Sequence, residues 1–224
     1  GQWDFKGNWT ANDFSGTQNS VGWTASAQGS VKDNAVLVSD GRGTWDGIPF
    51  EGNLVVRGFI QGSPPYEISG NLQLPEWTYQ SNENEEGVNL FDFQLPSTVR
   101  VSLQTKVDHV AWDAWNLYDL DFQLNGTSAE WSIPRFHARS LEGTLTGDGS
   151  VRFNEQMGNA TLLIHPTVKA FNLPELFLSF ENFGQNTLRT EHLSGTLDAS
   201  GSVQFTVNSA IEWQPASLDI LGSA

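Results

Sequence analysis

VRVSLQTKV, Val99 to Val107, sets Val99, Val101, Leu103 and Val107 against Arg100, Ser102, Gln104 and Lys106. A period of two sends successive side chains to opposite faces of a strand, so this stretch predicts a β-strand with one dry and one wet face. Outward from it the pattern repeats. In LDFQLN, Leu120, Phe122 and Leu124 alternate with Asp121, Gln123 and Asn125; in AEWSI, Ala129, Trp131 and Ile133 stand on one side. ATLLIHPTVKA gives Ala160, Leu162, Ile164, Val168 and Ala170. Antiparallel sheets with one solvated face are written this way. The pairs Asp40-Gly41, Asn125-Gly126 and Asp148-Gly149 predict hairpin turns between the runs.

One phrase occurs twice. LEGTLTGDGSVRF (Leu141–Phe153) and LSGTLDASGSVQF (Leu193–Phe205) agree at eight of thirteen positions. Gly143 and Gly149 in the first copy correspond to Gly195 and Gly201 in the second. These four are expected to be structural glycines, with a short strand, a sharp turn or kink at the second glycine, then another strand. FEGNLVVRGFI, with Gly52 and Gly58, is a fainter copy. Repeated β units stack side by side, each burying what its neighbour exposes.

NLPELFLSFENFG breaks the alternation. Leu173, Leu176, Phe177, Phe180 and Phe183 fall at helical spacing, with Asn172 to cap the start, Glu175 three residues on and Gly184 to stop it. This predicts a short α-helix over 173–183 whose aromatic stripe covers a sheet face or plugs one end of it. The fold class expected is all-β, mainly antiparallel: a twisted, groove-like or partly open sheet of repeated units with that single helix. SNENEEG, residues 81–87, reads as a polar loop. It marks a weak boundary between a β-rich segment 1–92 and a second, 93–224, within one continuous β structure.

Composition narrows the function. The 224 residues carry 17% charged and 12% aromatic side chains with nine Trp, too apolar for a disordered chain. A net charge of −15 opposes binding to nucleic acid, whose phosphates need a basic footprint, and polybasic adhesion to anionic membranes. Capture of lipid tails depends on apolar area instead. There is no cysteine, hence no disulfide and no thiolate metal site. The N-terminus GQWDFKGNW does not resemble a signal peptide; the chain reads as a segment of a longer protein.

Chemistry-bearing motifs are sparse. His109, His137, His165 and His192 have no metal-ligand spacing, and there is no GxSxG elbow. Gly147-Asp148-Gly149 with Asn154 and Glu155 lacks the ligand alternation of a calcium loop and reads as a turn. Glu51, Glu67, Glu76 and Glu130 are strand-borne acids of the type a glycoside hydrolase pairs, none in a recognisable motif. No catalytic residue, metal or cofactor is expected. An acidic, Trp-rich all-β chain also fits a carbohydrate-binding β-sandwich, or a scaffold whose helix closes its own sheet face.

The order of elements resembles a known family. LPSTVRVSLQTKVDHVAW is followed by NLYDLDFQLNGT and AEWSIPRFHARSLEGTLTGDGSVRF, then a long strand, NLPELFLSFENFGQNTL and LSGTLDASGSV. Over residues 93–207 this is similar to the C-terminal region of AsmA-like envelope proteins in their Bacteroidetes-type form, where a helix ending in Phe-Gly precedes a Leu-x-Gly-x-Leu strand. Residues 1–92 share only the style of short strands. The resemblance implies a long, groove-like β structure, anchored in the inner membrane by a helix absent from this sequence. It would project into the periplasm, be non-enzymatic, and serve phospholipid movement and outer-membrane integrity. The expected partners are phospholipid and other segments of the parent protein. Residues expected to line the apolar face are Val99, Val101, Leu103, Val107, Leu120, Phe122, Leu124, Trp131, Ile133, Leu162, Ile164 and Val168. Burying an acyl chain yields about 0.8 kcal/mol per CH₂, so a dozen methylenes give on the order of 10 kcal/mol gross with only a continuous apolar lining.

Overall fold

The computed structural model describes residues 7–18, 21–32, 35–45, 47–58, 64–79, 91, 94–112, 115–184, 187, 189–209 and 213–223. The predicted loop at 81–87 and Trp3 lie outside them. Twelve strands form one open sheet in sequence order. They are β1 (Gly7–Gln18), β2 (Val21–Lys32), β3 (Ala35–Trp45), β4 (Ile48–Arg57), β5 (Tyr66–Tyr79) and β6 (Val99–Trp112). β7 (Trp115–Gly126), β8 (Glu130–Ser140), β9 (Gly143–Asn154), β10 (Asn159–Asn172), β11 (Thr196–Asn208) and β12 (Trp213–Ser223) follow. All neighbours are antiparallel except β5 and β6, which pair in parallel. Hydrogen bonding therefore continues across position 92, where the sequence suggested a weak boundary. Each strand's substantial contacts are with its hydrogen-bonded neighbours, so among the described residues no second sheet lies over the first. The two-sheet architecture of the β-sandwich alternative is not the one observed: the described strands form one open sheet.

The repeated phrase marks two strands on either side of β10. The first copy supplies the β8–β9 turn and β9, the second the approach to β11 and β11 itself. On one rung Gly149 faces Ile164, which faces Val203; on the next Val151, Leu162 and Phe205 stand in line. The copies are thus offset by two residues across β10.

Several predicted turns prove to be strand interior. Gly149 lies within β9 and Gly201 within β11, with no turn at either; Asp148-Gly149 and Asp40-Gly41 do not end strands. The turn belongs instead to Leu141 and Glu142, with φ of 48° and 62°, just before Gly143 opens β9. Glycine is needed inside strands because neighbouring backbone comes close. A Cβ on Gly149 would stand 3.0 Å from the Leu163 carbonyl oxygen, and one on Gly201 2.9 Å from that of Leu221. Gly195, at φ +97°, does redirect the chain into β11.

A second use of glycine recurs. Trp9 lies over Gly29, Trp23 over Gly16, Phe50 over Gly43, Trp131 over Gly126 and Phe136 over Gly147, each from the directly opposed position. The ring fills the space that the missing side chain leaves, an arrangement that stabilises glycine-containing sheets.

Bulges twist the sheet. Asp13, Asp40, Asp119 and Ala170 have φ between 52° and 55°, each beside a register shift. Such a residue turns its N–H out of the ladder, and the donor must find another partner. Asp13 donates to Ser26 Oγ (3.0 Å), Asp40 to Asn53 Oδ1 (3.1 Å) and Ala170 to Asp198 Oδ1 (2.7 Å), all from the adjacent strand.

The helix forms but is shorter than predicted: α1 spans Leu173–Ser179. Asn172 caps it, its Oδ1 accepting the Glu175 N–H at 3.1 Å. Beyond Phe180, Glu181, Asn182 and Phe183 adopt φ of 49°, 55° and 54°, a left-handed turn that no α-helix can continue through. That turn folds Phe183 back onto Phe180 and Phe177, with ring centroids 5.4 Å and 5.1 Å away. Phe180 meets Trp115 of β7 at 5.8 Å. The aromatic stripe therefore sits at one end of the sheet.

Candidate functional site: an apolar sheet face

Register alone assembles the face. Directly opposed residues run Gly7, Val31, Val36, Val56, Ile68, Val101, Gly126, Trp131, Val151, Leu162 and Phe205, one from each of eleven successive strands. Paired residues share a face, so this is one unbroken apolar row. One pleat further, Leu54, Gly70, Leu103 and Leu124 are in line, as are Ile133, Gly149, Ile164, Val203 and Ile220. Next come Leu72, Thr105, Phe122, Phe136, Gly147 and Pro166, then Leu74, Val107 and Leu120, with Leu145, Val168 and Ala199 beyond. Val99 stands beside Tyr66, two residues before Val101.

All twelve residues singled out from sequence thus fall on one face. Val107 is buried at 3% exposure, Ile164 is exposed at 38%, and the other ten are half-buried. Sequence reasoning missed the first half of this face: Val31, Val36, Val56 and Ile68 lie on the same row as Val101. The signal was there in YEISGNLQL, where Tyr66, Ile68, Leu72 and Leu74 alternate but Gly70 interrupts the count.

Two magnitudes decide whether the face is sealed. A compact chain of 24.6 kDa exposes about 10,000 Å², while this one exposes 14441 Å². No large side chain is fully buried among the described residues. The helix cannot serve as a cover, because seven residues give about 10 Å of helix against a sheet about 50 Å wide. The expected closure of the sheet face by this helix is therefore not observed. A shallow depression on the apolar side, lined by Pro166, Val168, Ala199, Val203 and Ile220, opens at the β10–β12 edge.

Thr105 is an anomaly in this face. It is 4% exposed between Leu72 and Phe122, and its hydroxyl has no hydrogen-bond partner. A buried polar group left unmatched destabilises the fold. Thr105→Val, which keeps the shape, is expected to raise the unfolding free energy by about 1 kcal/mol. An upward shift of the urea midpoint measures it.

The opposite face is a polar ladder. Arg42, Glu51, Gln73, Lys106 and Asp121 stand in line across β3 to β7, as do Arg57, Glu67 and Arg100. Alternating charges on opposed positions attract. The four acids weighed as catalytic candidates occupy separate rungs. Glu67 and Glu76 are nine residues apart on β5, about 30 Å, and Glu51 pairs with Gln73 rather than with another acid. Glu76 lies 3.4 Å from His109, and Glu130 3.3 Å from Arg152. His165 Nδ1 is 2.8 Å from Asp148. Among the described residues no three His, Asp or Glu side chains converge as a metal site. No helix of the described residues is long and apolar enough to cross a membrane.

Compared with known proteins, the chain matches no protein-family profile and no curated protein.

Proposed function

We propose that this chain is a non-enzymatic, AsmA-like piece of a bacterial envelope protein whose apolar sheet face binds phospholipid acyl chains and conducts them between membranes. On this reading it works on the periplasmic side, within a parent protein anchored in the inner membrane, and supports outer-membrane assembly and integrity. The observation that carries the reading is the unbroken apolar row across eleven strands, over which the described residues place no second sheet and, from the β5–β6 connection, only Phe91 against Phe153. Monomeric soluble proteins rarely expose contiguous apolar patches of more than a few hundred Å², and larger ones mark ligand or interaction surfaces. Hydrocarbon asks only for continuous apolar lining, which the row from Val31 to Phe205 provides. The polar ladder on the reverse face keeps the other side in water.

The test is direct. Protein extracted with organic solvent should release phospholipid, and a fluorescent fatty acid should bind purified, delipidated protein with a blue-shifted emission. Absence of both results overturns the reading.

A further inference from the structure

The exposed large apolar side chains are unevenly placed. Trp45 closes β3, Trp77 and Trp112 lie near the ends of β5 and β6, and Leu178, Phe180 and Phe183 follow β10 in and just beyond α1. Their exposures run from 38% to 61%. All six gather at the same end of the sheet, because β5 and β6 run parallel, β3 and β4 turn there, and Phe180 reaches Trp115 at the start of β7. At the opposite hairpin ends Met157 is the one comparable side chain among the described residues. From β3 to β10 the row of tips spans about 35 Å.

We infer that this aromatic rim docks onto the interfacial layer of a zwitterionic phospholipid bilayer. Indole and phenyl rings settle at the headgroup level of membranes, and Trp is enriched there because one edge is apolar and the other donates a hydrogen bond. A row of strand tips meets a flat surface rather than enclosing a peptide. The charges fit a bilayer without net charge: Arg139 pairs with Asp119, Arg189 lies 3.9 Å from Glu191 and His109 3.4 Å from Glu76. Among the described residues no basic patch is presented to anionic lipid, which recruits clusters of Lys and Arg. The rim is also continuous with the apolar face, since Trp45 opposes Trp23 and Ile48 one pleat beyond Gly43 and Phe50. The inference rests on the acyl-chain reading for its purpose: a docked rim places the open face against the source or destination of the lipid.

The test is flotation of the full chain with phosphatidylcholine vesicles on a density gradient. Wild type should float, and changing the salt from about 0.05 to about 0.5 M should leave the floated fraction unaltered, since screening acts on charge and not on ring insertion. The triple variant Trp45→Ala, Trp77→Ala, Trp112→Ala should float at least about fivefold less, while Trp112→Ala alone, still folded by circular dichroism, should lose about half. Fatty-acid binding by the triple variant in vesicle-free solution should equal that of wild type, which separates this inference from the reading it rests on. Failure of wild type to float, flotation only with anionic vesicles, or equal flotation of wild type and triple variant would each overturn the docking. If wild type floats but binds no fatty acid, the docking stands and the acyl-chain reading fails.

Discussion

Replacing Gly43 by alanine is expected to lower the unfolding free energy by about 3 kcal/mol or more, enough to remove much of the stability of an ordinary domain. A Cβ at this position would lie 2.0 Å from the Thr24 carbonyl oxygen and 2.9 Å from the Phe50 ring. The first contact is with backbone held in the β2–β3 ladder, so no side-chain rotation relieves it. Accommodation requires β2 and β3 to move apart just where Ala25 and Phe50 flank Gly43 on the apolar face. Gly22→Ala is the control: the added methyl meets nothing within 4 Å, and stability should stay level or rise by up to about 1 kcal/mol. Urea denaturation followed by Trp fluorescence reads both. A midpoint for Gly43→Ala matching that of Gly22→Ala would disprove the close approach of the two strands.

Ile164→Asp is expected to weaken fatty-acid binding about 30- to 150-fold, the range given when a carboxylate costing roughly 2 to 3 kcal/mol is set against hydrocarbon. Ile164 lies between Gly149 and Val203 and is exposed at 38%, so the new carboxylate keeps access to water and folding should suffer little. Phe122→Asp, between Thr105 and Phe136, should act the same way with a larger folding cost because Phe122 is half-buried. Gln204→Glu adds the same charge one residue from Val203 but on the polar face, and should leave binding within about twofold of wild type. The measurements are fluorescence titration with a labelled fatty acid and a urea midpoint for each variant. Equal losses from Ile164→Asp and Gln204→Glu would show that binding does not distinguish the faces.

The alternation in Val99 to Val107, Leu120 to Leu124, Trp131 to Ile133 and Leu162 to Val168 was sufficient to place side chains on a common face, because a strand offers only two directions. Asn172 was legible as a cap because its role is local. What escaped depends on neighbours distant in sequence. Asp40-Gly41 and Asp148-Gly149 looked like turns, yet Asp40 is a bulge held by Asn53, and Gly149 leaves room for the backbone of β10. The helix end at Phe180 is set by a left-handed turn that stacks Phe183 on Phe180, which no spacing rule foresees. The parallel pairing of β5 with β6, which brings Trp77 and Trp112 to one end, is invisible to periodicity.

A layer in which almost every strand leans only on its predecessor and its successor has little to bind it into one all-or-none unit. Such arrays behave as linear chains of coupled elements, with stability summed over nearest-neighbour terms. Disassembly should therefore start at the flanks, where β1 and β12 each have a single neighbour, and amide exchange should slow progressively toward the centre. Hairpins can zip locally at low cost in loop entropy, while the β5–β6 joint must close a connection of about twenty residues. That joint is expected to be the slow step of assembly, two meanders forming first and the parallel seam between them last, an order that pulsed hydrogen exchange during refolding would read.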